Sequence, residues 1–452
     1  MTRLRAFVNC RVLTLAFLVV LSVLGGQGWA LEVQQVQSPK GISFWLYEDH
    51  GTPVTSIDFA FVGAGATADA SDKQGVASLA AGTMDEGAGP FNSLAFQKRM
   101  DDLGAGVSFR AGRDHFSGTL TSLSATMPQS IEMLRLALTA PRFDRDALQR
   151  IKGQILSILA RDAQNPNTIA ARHWMAQSFP GHGYGRPVRG TQASVGALTR
   201  SDLTAFVATR LGHNNVRLSV VGDVTPAEAG RLIDRAFGDL PAVALRETTV
   251  EIKPAATGTD IISLPIPQTI LQFGMPGILR DDADFLPAYV LNHILGGGSF
   301  SSRLMIEVRE KRGLTYGIGT GLAPYQQAGT IMGSFATKNE SAGQAMEIVR
   351  DVIADIAANG VTADELAKAK QYLIGAYPLR FDSNDKIAGQ LLGLQLAGLD
   401  PNYFVERNDL IAAVTLDDLR RVATRLLKVD QLYVVAVGQP TGLDAQPHQQ
   451  PQ

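Results

Sequence analysis

Apolar positions recur every three to four residues over five stretches early in this 452-residue chain: Gly75–Met84, Ser93–Leu103, Ile131–Thr139, Arg145–Arg161 and Thr168–Ser178. That period lines apolar side chains along one face of a helix. Two other stretches, Ser56–Val62 and Phe116–Leu123, alternate in the manner of a strand with one buried face. Strands come first and helices follow. The order predicts an α+β sandwich, with helices packed on one face of a largely antiparallel sheet.

The pattern then repeats. Residues 198–224 and 414–440 each read as an amphipathic helix, a turn and an apolar strand ending in Gly. Asp202-Leu203 matches Asp418-Leu419 and Gly222 matches Gly438, both at an offset of 216. Upstream, Asp146, Leu148 and Lys152 match Asp364, Leu366 and Lys370 at an offset of 218. More loosely, Gly75–Leu103 and Phe285–Arg312 are both long helical patterns that follow a strand. Three matches in one order predict two homologous halves, 31–237 and 263–440. They are joined by an extended polar linker, 238–262, and followed by a low-complexity, disordered tail, 441–452.

The N-terminus differs in kind. Arg3, Arg5 and Arg11 precede the apolar run Val12–Leu24, and Gly28-Trp29-Ala30 supplies small residues at a cleavage site. This is the layout of a secretory signal over residues 1–30, and the run is short for a span, which needs ~20 residues. Removal would take the formal charge from -2 to -5 and would take away Cys10, the single cysteine. Residues 31–452 would then be a periplasmic protein with no thiol chemistry, no disulfide and no stable membrane span. Hydrophobic residues make up 45% of the chain and Lys plus Arg (41) nearly balance Asp plus Glu (43), which excludes a disordered chain and a basic nucleic-acid binder.

Candidate chemistry is sparse. No two of the seven His are spaced four apart, so no helix offers a His pair to a metal. Arg113-Asp114-His115 reads more readily as a solvated turn than as a catalytic group. Gly63-Ala64-Gly65-Ala66-Thr67-Ala68 has dinucleotide-loop spacing, but a polar loop follows where a helix is required, so it reads as a turn. The second half carries more. Leu291–Leu304 reads as a helix, a break at Gly296-Gly297-Gly298 and a new helix. That helix continues through Arg309 to Gly313 as its C-cap, and a strand restarts at Leu314. Arg309 and Tyr316 fall seven apart across the cap. A guanidinium and a phenol side by side can donate hydrogen bonds to a carbonyl or an oxyanion; a salt-bridged helix beside a core tyrosine is the plainer alternative.

The runs Gln268–Asp281, Ile294–Leu304 and Val308–Tyr316 resemble the pitrilysin/insulinase metallopeptidases, closest to the bacterial, processing-peptidase-like branch. The likeness spans nearly all of 31–440. It implies two α+β domains that, in pairs, enclose a clam-shell chamber. It also implies an active half with the zinc motif H-x-x-E-H and a more distant Glu, and an opposing half whose Arg and Tyr hold the substrate backbone. Arg309 and Tyr316 match that pair, and Gly296, Gly297, Gly298 and Ser299 would line the chamber. The zinc helix departs from the family. Ser78, Ala81 and Gly82 stand where His, Glu and His belong, and the distal Glu position falls near Ile158. The resemblance therefore implies a chain with no cofactor of its own, inactive alone. Its expected role is the non-metal subunit of a heterodimer whose partner brings zinc on H-x-x-E-H, and its ligand is a peptide. A scaffold protein of the same fold, and an autonomous peptidase using Asp114 and His115, are the alternatives.

Overall fold

A computed structural model describes residues 32–243 and 250–445; residues 1–30, where a secretory signal is expected, lie outside them. In the first half, strands β1 (Gln34–Gln37), β2 (Ser43–Glu48) and β3 (Val54–Val62) lead into helix α1 (Val76–Ala81). A small hairpin, β4 (Gly87–Ala88) and β5 (Phe91–Asn92), precedes α2 (Ser93–Asp102), β6 (Gly106–Ala111) and β7 (His115–Leu123). Helices α3 (Met127–Thr139), α4 (Arg145–Asp162), α5 (Pro166–Ser178), α6 (Gln192–Ala197) and α7 (Arg200–Arg210) follow. The half ends with β8 (Val216–Gly222) and α8 (Pro226–Phe237). The second half runs β9 (Gly258–Ser263), β10 (Gln268–Pro276), α9 (Phe285–Asn292), β11 (Ile318–Pro324) and β12 (Gly329–Lys338). It closes with α10 (Ala342–Asn359), α11 (Ala363–Gly375), α12 (Asn384–Leu396), α13 (Tyr403–Ala413), α14 (Leu416–Leu426) and β13 (Tyr433–Gly438).

The repeat read from the sequence is a repeat of topology. The first sheet is ordered β1-β2-β8-β3-β7-β6 and the second β9-β13-β10-β12-β11. Apart from β1 the order is the same, and in each sheet one pair (β2 with β8, β9 with β13) is parallel. The matched residues do matched work. Asp202 and Asp418 accept hydrogen bonds from the N-cap residues Thr199 and Thr415, so each opens its helix with a capping box. Lys152 Nζ donates to Leu198 O (2.6 Å) and Lys370 Nζ to Ala412 O (2.6 Å), in each half tying down the end of the helix that precedes the capped one. Gly222 (φ 141) and Gly438 (φ 152) end equivalent strands where a Cβ would lie 2.2 Å from Val54 O or 2.7 Å from Thr269 Oγ1.

One apolar core lies between each sheet and its own helices. The second face of each sheet is covered by a helix from the opposite half. Helix α5 lays Ala170, Trp174 and Met175 on Ile270, Tyr433, Val435 and Val437 of the second sheet. Reciprocally, α12 lays Ile387, Ala388 and Leu391 on Val221 of the first sheet, with Trp45 and Tyr47 packed alongside. Polar contacts follow the same exchange. Trp174 Nε1 donates to Tyr433 O (3.2 Å), Gln395 Nε2 to Leu218 O (2.8 Å) and Ser219 Oγ to Ala388 O (2.7 Å). Gly274 has no room for a side chain, because a Cβ there would lie 2.6 Å from Trp174 Cζ2. Clefts of about 580 and 740 Å³ remain along the seam.

Two boundary expectations change. Residues 244–249 of the expected linker 238–262 lie outside the described part, and the described remainder is not free. Its last residues belong to β9, which adds an edge strand beside β13, and Ile252 N and Ala255 N donate to Gln327 O (2.7 Å) and Ser178 O (2.8 Å). The tail 441–452 is ordered as far as it is described: Thr441 N donates to Asn339 O (2.9 Å), and Leu443 is buried in the second core. Residues 446–452 lie outside the described part. Among the described residues no helix is long and apolar enough to cross a membrane.

The seam buries a carboxyl group. Asp58, on β3, faces α12, and its Oδ2 lies 3.3 Å from where a Cβ on Gly389 would sit. Burial first, and then the neighbouring Asp385, push its pKa up to about 7. A folded-state pKa above the unfolded value means that folding retains a proton, so stability falls as pH rises from about 4 to 7. Asp58→Asn is expected to raise the thermal midpoint at pH 8 and leave it unchanged at pH 4. A midpoint raised equally at both pH values would remove burial of the charge as the cause.

Candidate functional site

The segment from Leu291 to Ile318 folds as two helical stretches separated just after its glycines. Helix α9 runs directly into a π-wound turn, His293–Gly297, closed by Gly298 N donating to His293 O at 2.8 Å. The helix ends at Gly298, the chain turns through Ser299–Ser301 and is extended at Ser302 (ψ 150), and a new helical stretch starts at Arg303, so the expected break falls at the end of the glycine run. Gly296 is required by packing, since a Cβ there would lie 2.5 Å from Thr320 Oγ1 on β11. Gly298 is required by the turn, because a Cβ would lie 2.7 Å from His293 O. Ser299 takes the left-handed conformation (φ 51), rare outside glycine, and starts a short 3₁₀ turn, Ser299–Ser301. Met305–Glu310 is again π-wound. Gly313 (φ 63) caps it as expected, with Gly313 N donating to Arg309 O and Leu314 N to Val308 O. The strand restarts at Ile318 rather than Leu314, because Thr315 Oγ1 donates to Ala336 O (2.8 Å) and holds the chain in a turn.

That turn places Tyr316 at the surface, 90% exposed, and brings it to Arg309. The Arg309 Cζ lies 5.2 Å from the Tyr316 ring centroid and 4.6 Å from that of Phe300, so the guanidinium is held over two aromatic rings. Phe300, 62% exposed, is the member that sequence reasoning missed. Its signal was an aromatic residue in an otherwise serine-rich turn, Ser299–Ser302. The surrounding charges are spoken for. Glu307 pairs with Lys311 (2.6 Å) and Arg312 (2.7 Å), and Arg303 pairs with Glu365 (2.6 Å) and Asp355 (2.8 Å). Among the described residues Arg309 has no carboxylate partner, so the salt-bridged-helix alternative applies to its neighbours and not to Arg309 itself. Of the four residues expected to line a chamber, Gly296 is buried behind Thr320 and Gly298 is half-buried, while Gly297 borders a cleft and Ser299 is exposed.

The positions of the family's zinc motif lie on α1 and just past it. Ser78 Oγ donates to Val188 O at 3.0 Å, Ala81 is buried, and a Cβ on Gly82 would sit 3.0 Å from Ile151 Cγ2. Ile158 is part-buried on α4. One engaged hydroxyl and three apolar residues do not fit a zinc ion, which needs imidazole, thiolate or carboxylate donors. Among the described residues no three His, Cys, Asp or Glu side chains come together as metal ligands.

Arg113-Asp114-His115 is not the solvated turn expected. Asp114 is buried at the seam, where Oδ1 accepts from Tyr184 OH (2.7 Å) and Oδ2 from Gln326 N (3.1 Å) of the second half. Tyr184, pushed up in pKa by its burial and by Asp114, also accepts from Gln327 N (3.1 Å). Both carboxylate oxygens are engaged, Oδ2 joining the halves directly and Oδ1 through Tyr184, which takes away the support for an autonomous peptidase built on Asp114 and His115. The turn expected at Gly63–Ala68 is present: Ala66–Ala68 is a single 3₁₀ turn, with Gly65 pressed against Arg113 O.

Comparison with known proteins agrees in both halves. The family model for insulinase (peptidase family M16) matches residues 46–192, and that for the peptidase M16 inactive domain matches residues 197–373. The chain is similar to a Helicobacter pylori protein named non-peptidase homolog YmxG, 24% identical over 83% of this chain and 86% of that protein. It is also similar to the alpha subunit of the mitochondrial-processing peptidase of Solanum tuberosum, 25% identical over 74% of this chain and 68% of that one. A crystal structure described as a peptidase M16 inactive domain from Pseudomonas fluorescens superposes with a TM-score of 0.85. It is 31% identical and covers 93% of this chain and 100% of that one.

Proposed function

Since this chain belongs to the insulinase family of M16 peptidases and has lost that family's zinc motif, we propose that it is the non-metal subunit of a heteromeric zinc peptidase exported to the periplasm. The partner carries H-x-x-E-H and with it the metal, which supplies a water of lowered pKa. This chain supplies the grip. Arg309 and Tyr316 donate hydrogen bonds to the carbonyls of a peptide drawn across the two subunits and meet negative charge as it develops on the carbonyl oxygen. The observation that carries this reading is the state of Arg309. It is stacked between Phe300 and Tyr316, at the surface, and without a carboxylate of its own among the described residues. A guanidinium so placed has its direction set in advance and its donors available.

Purified alone, the chain is expected to hold no stoichiometric zinc and to leave peptides intact. Affinity-purified from the envelope of its native host, it is expected to bring with it a chain bearing H-x-x-E-H and a chelator-sensitive peptidase activity. Stoichiometric zinc and peptide cleavage in the isolated chain would overturn the reading. A stable native partner without the motif would replace it with a scaffold role.

A further inference from the structure

A cleft of about 520 Å³, within the ~300–1,000 Å³ usual for small-ligand sites, opens in the second half between α9, β11, α12 and α13. Its chemistry is one-sided. Arg280, Arg380 and Arg407 line it, and no aspartate or glutamate does. The arginines of the same half that lie near acids are paired: Arg421 with Asp284 at 2.7 Å and Arg425 with Asp282 at 2.6 Å. Two of the cleft's three, Arg280 and Arg407, instead contact rings or backbone, and Arg380 is exposed. Arg280 Cζ lies 4.1 Å from the Phe285 centroid and 5.2 Å from that of Tyr403. Arg407 Cζ lies 4.2 Å from the Tyr377 centroid, and its Nη1 donates to Leu373 O at 3.1 Å. Stacking fixes the plane of a guanidinium and leaves its N–H edge open, which suits a carboxylate received through two parallel hydrogen bonds.

A second feature narrows the ligand. Asn292 lines the cleft and is nine-tenths buried. Its Nδ2 donates to Thr320 O at 3.3 Å, while its Oδ1, and Oγ1 of Thr320, are buried without a hydrogen-bond partner among the described residues. A buried amide oxygen with no donor is costly and calls for an N–H. The walls allow a backbone to come close: a Cβ on Gly321 or on Gly393 would meet nothing within 4 Å, so the cleft stays open there because the side chains are missing.

A ligand with a carboxylate at one end and an N–H beside it meets both demands. We infer that this cleft binds the C-terminal carboxylate of a peptide, with Arg280 and Arg380 on the carboxylate and Asn292 Oδ1 accepting the last amide N–H. The site includes neither Arg309 nor Tyr316 and needs no zinc-bearing partner, so it stands or falls apart from the subunit role above.

The test uses the purified chain alone and a fluorescein-labelled tetra-alanine peptide, read by fluorescence anisotropy. The peptide with a free C-terminal carboxylate is expected to bind saturably and at least about tenfold more tightly than the same peptide ending in an amide, the difference that a charge-assisted hydrogen bond provides. R280Q and R380Q are each expected to weaken the carboxylate form about tenfold and leave the amide form unchanged. G393L, on an exposed helix face, is expected to block both by filling the cleft. Should R280Q fail to fold, R380Q carries the test, since Arg380 is exposed. Equal affinity for carboxylate and amide forms, no binding of either, or full affinity in R380Q would overturn the proposal. Equally tight binding of an amidated peptide carrying one glutamate would overturn the assignment to a chain terminus.

Discussion

Arg309→Ala, assayed in the zinc-bearing complex, is expected to lower peptide turnover about 10²–10³-fold, the usual loss when one donor to a developing oxyanion is removed. The chain itself should keep its stability. Arg309 makes no ion pair among the described residues and rests on two exposed rings, so truncation leaves no buried charge behind. Its thermal midpoint should therefore stay within about 2 °C, as for surface changes in general. Arg309→Lys separates charge from geometry. It keeps the cation but loses the planar stack on Phe300 and Tyr316, so it is expected to recover only part of the rate. Tyr316→Phe keeps the ring beneath the guanidinium and removes one donor, which makes it the milder of the two truncations. Steady-state cleavage of a quenched-fluorescence peptide by each reconstituted complex is the measurement. An Arg309→Ala complex that cleaves at the unaltered rate would end the substrate-gripping role, whatever else the partner does.

The largest expected loss of stability lies at the seam. Trp174→Ala should cost about 3–5 kcal/mol, the range for emptying a buried aromatic site. The ring is fully buried, tilted against Tyr433 at 6.2 Å and edge-on to Phe179 at 6.5 Å, and its Nε1 bonds Tyr433 O. Gly274→Leu should destabilise from the other side, because a Cβ there already meets the indole at 2.6 Å. The double variant provides the decisive comparison. With the indole gone, a leucine at 274 has space to occupy, so the two losses should sum to more than the double variant shows. Strict additivity in chemical denaturation, or a Trp174→Ala midpoint within about 2 °C of the parent, would mean that α5 does not carry the contact between the halves.

Much of the candidate site could be read in the sequence, for a physical reason. That Ser78, Ala81 and Gly82 stand in place of His, Glu and His is a matter of residue type, and no fold restores a metal donor to alanine or glycine. The spacing of Arg309, Gly313 and Tyr316 encodes a cap, which is a local device, and it formed as read. The break at the glycine run formed at Gly298, but the packing of Gly296 against Thr320, which lies on a strand farther along the chain, was not legible. Phe300 was missed because its role is defined by Arg309, nine residues on and in another turn. The role of Asp114 was misjudged because its second donor, Gln326 N, lies in the other half.

By itself, then, the sequence determined the long helices, strands β3, β7, β8 and β13, the doubling and which residue types stand at the motif positions, since periodicity, capping and donor chemistry act over a few residues at a time. Only the tertiary structure decided that each half covers the other's sheet and that Asp58 is buried against α12. It alone set three arginines around one acid-free cleft. Those arrangements join residues as far apart as Trp174 and Tyr433, 259 positions along the chain, and no local pattern records which distant surface an apolar or charged face will meet.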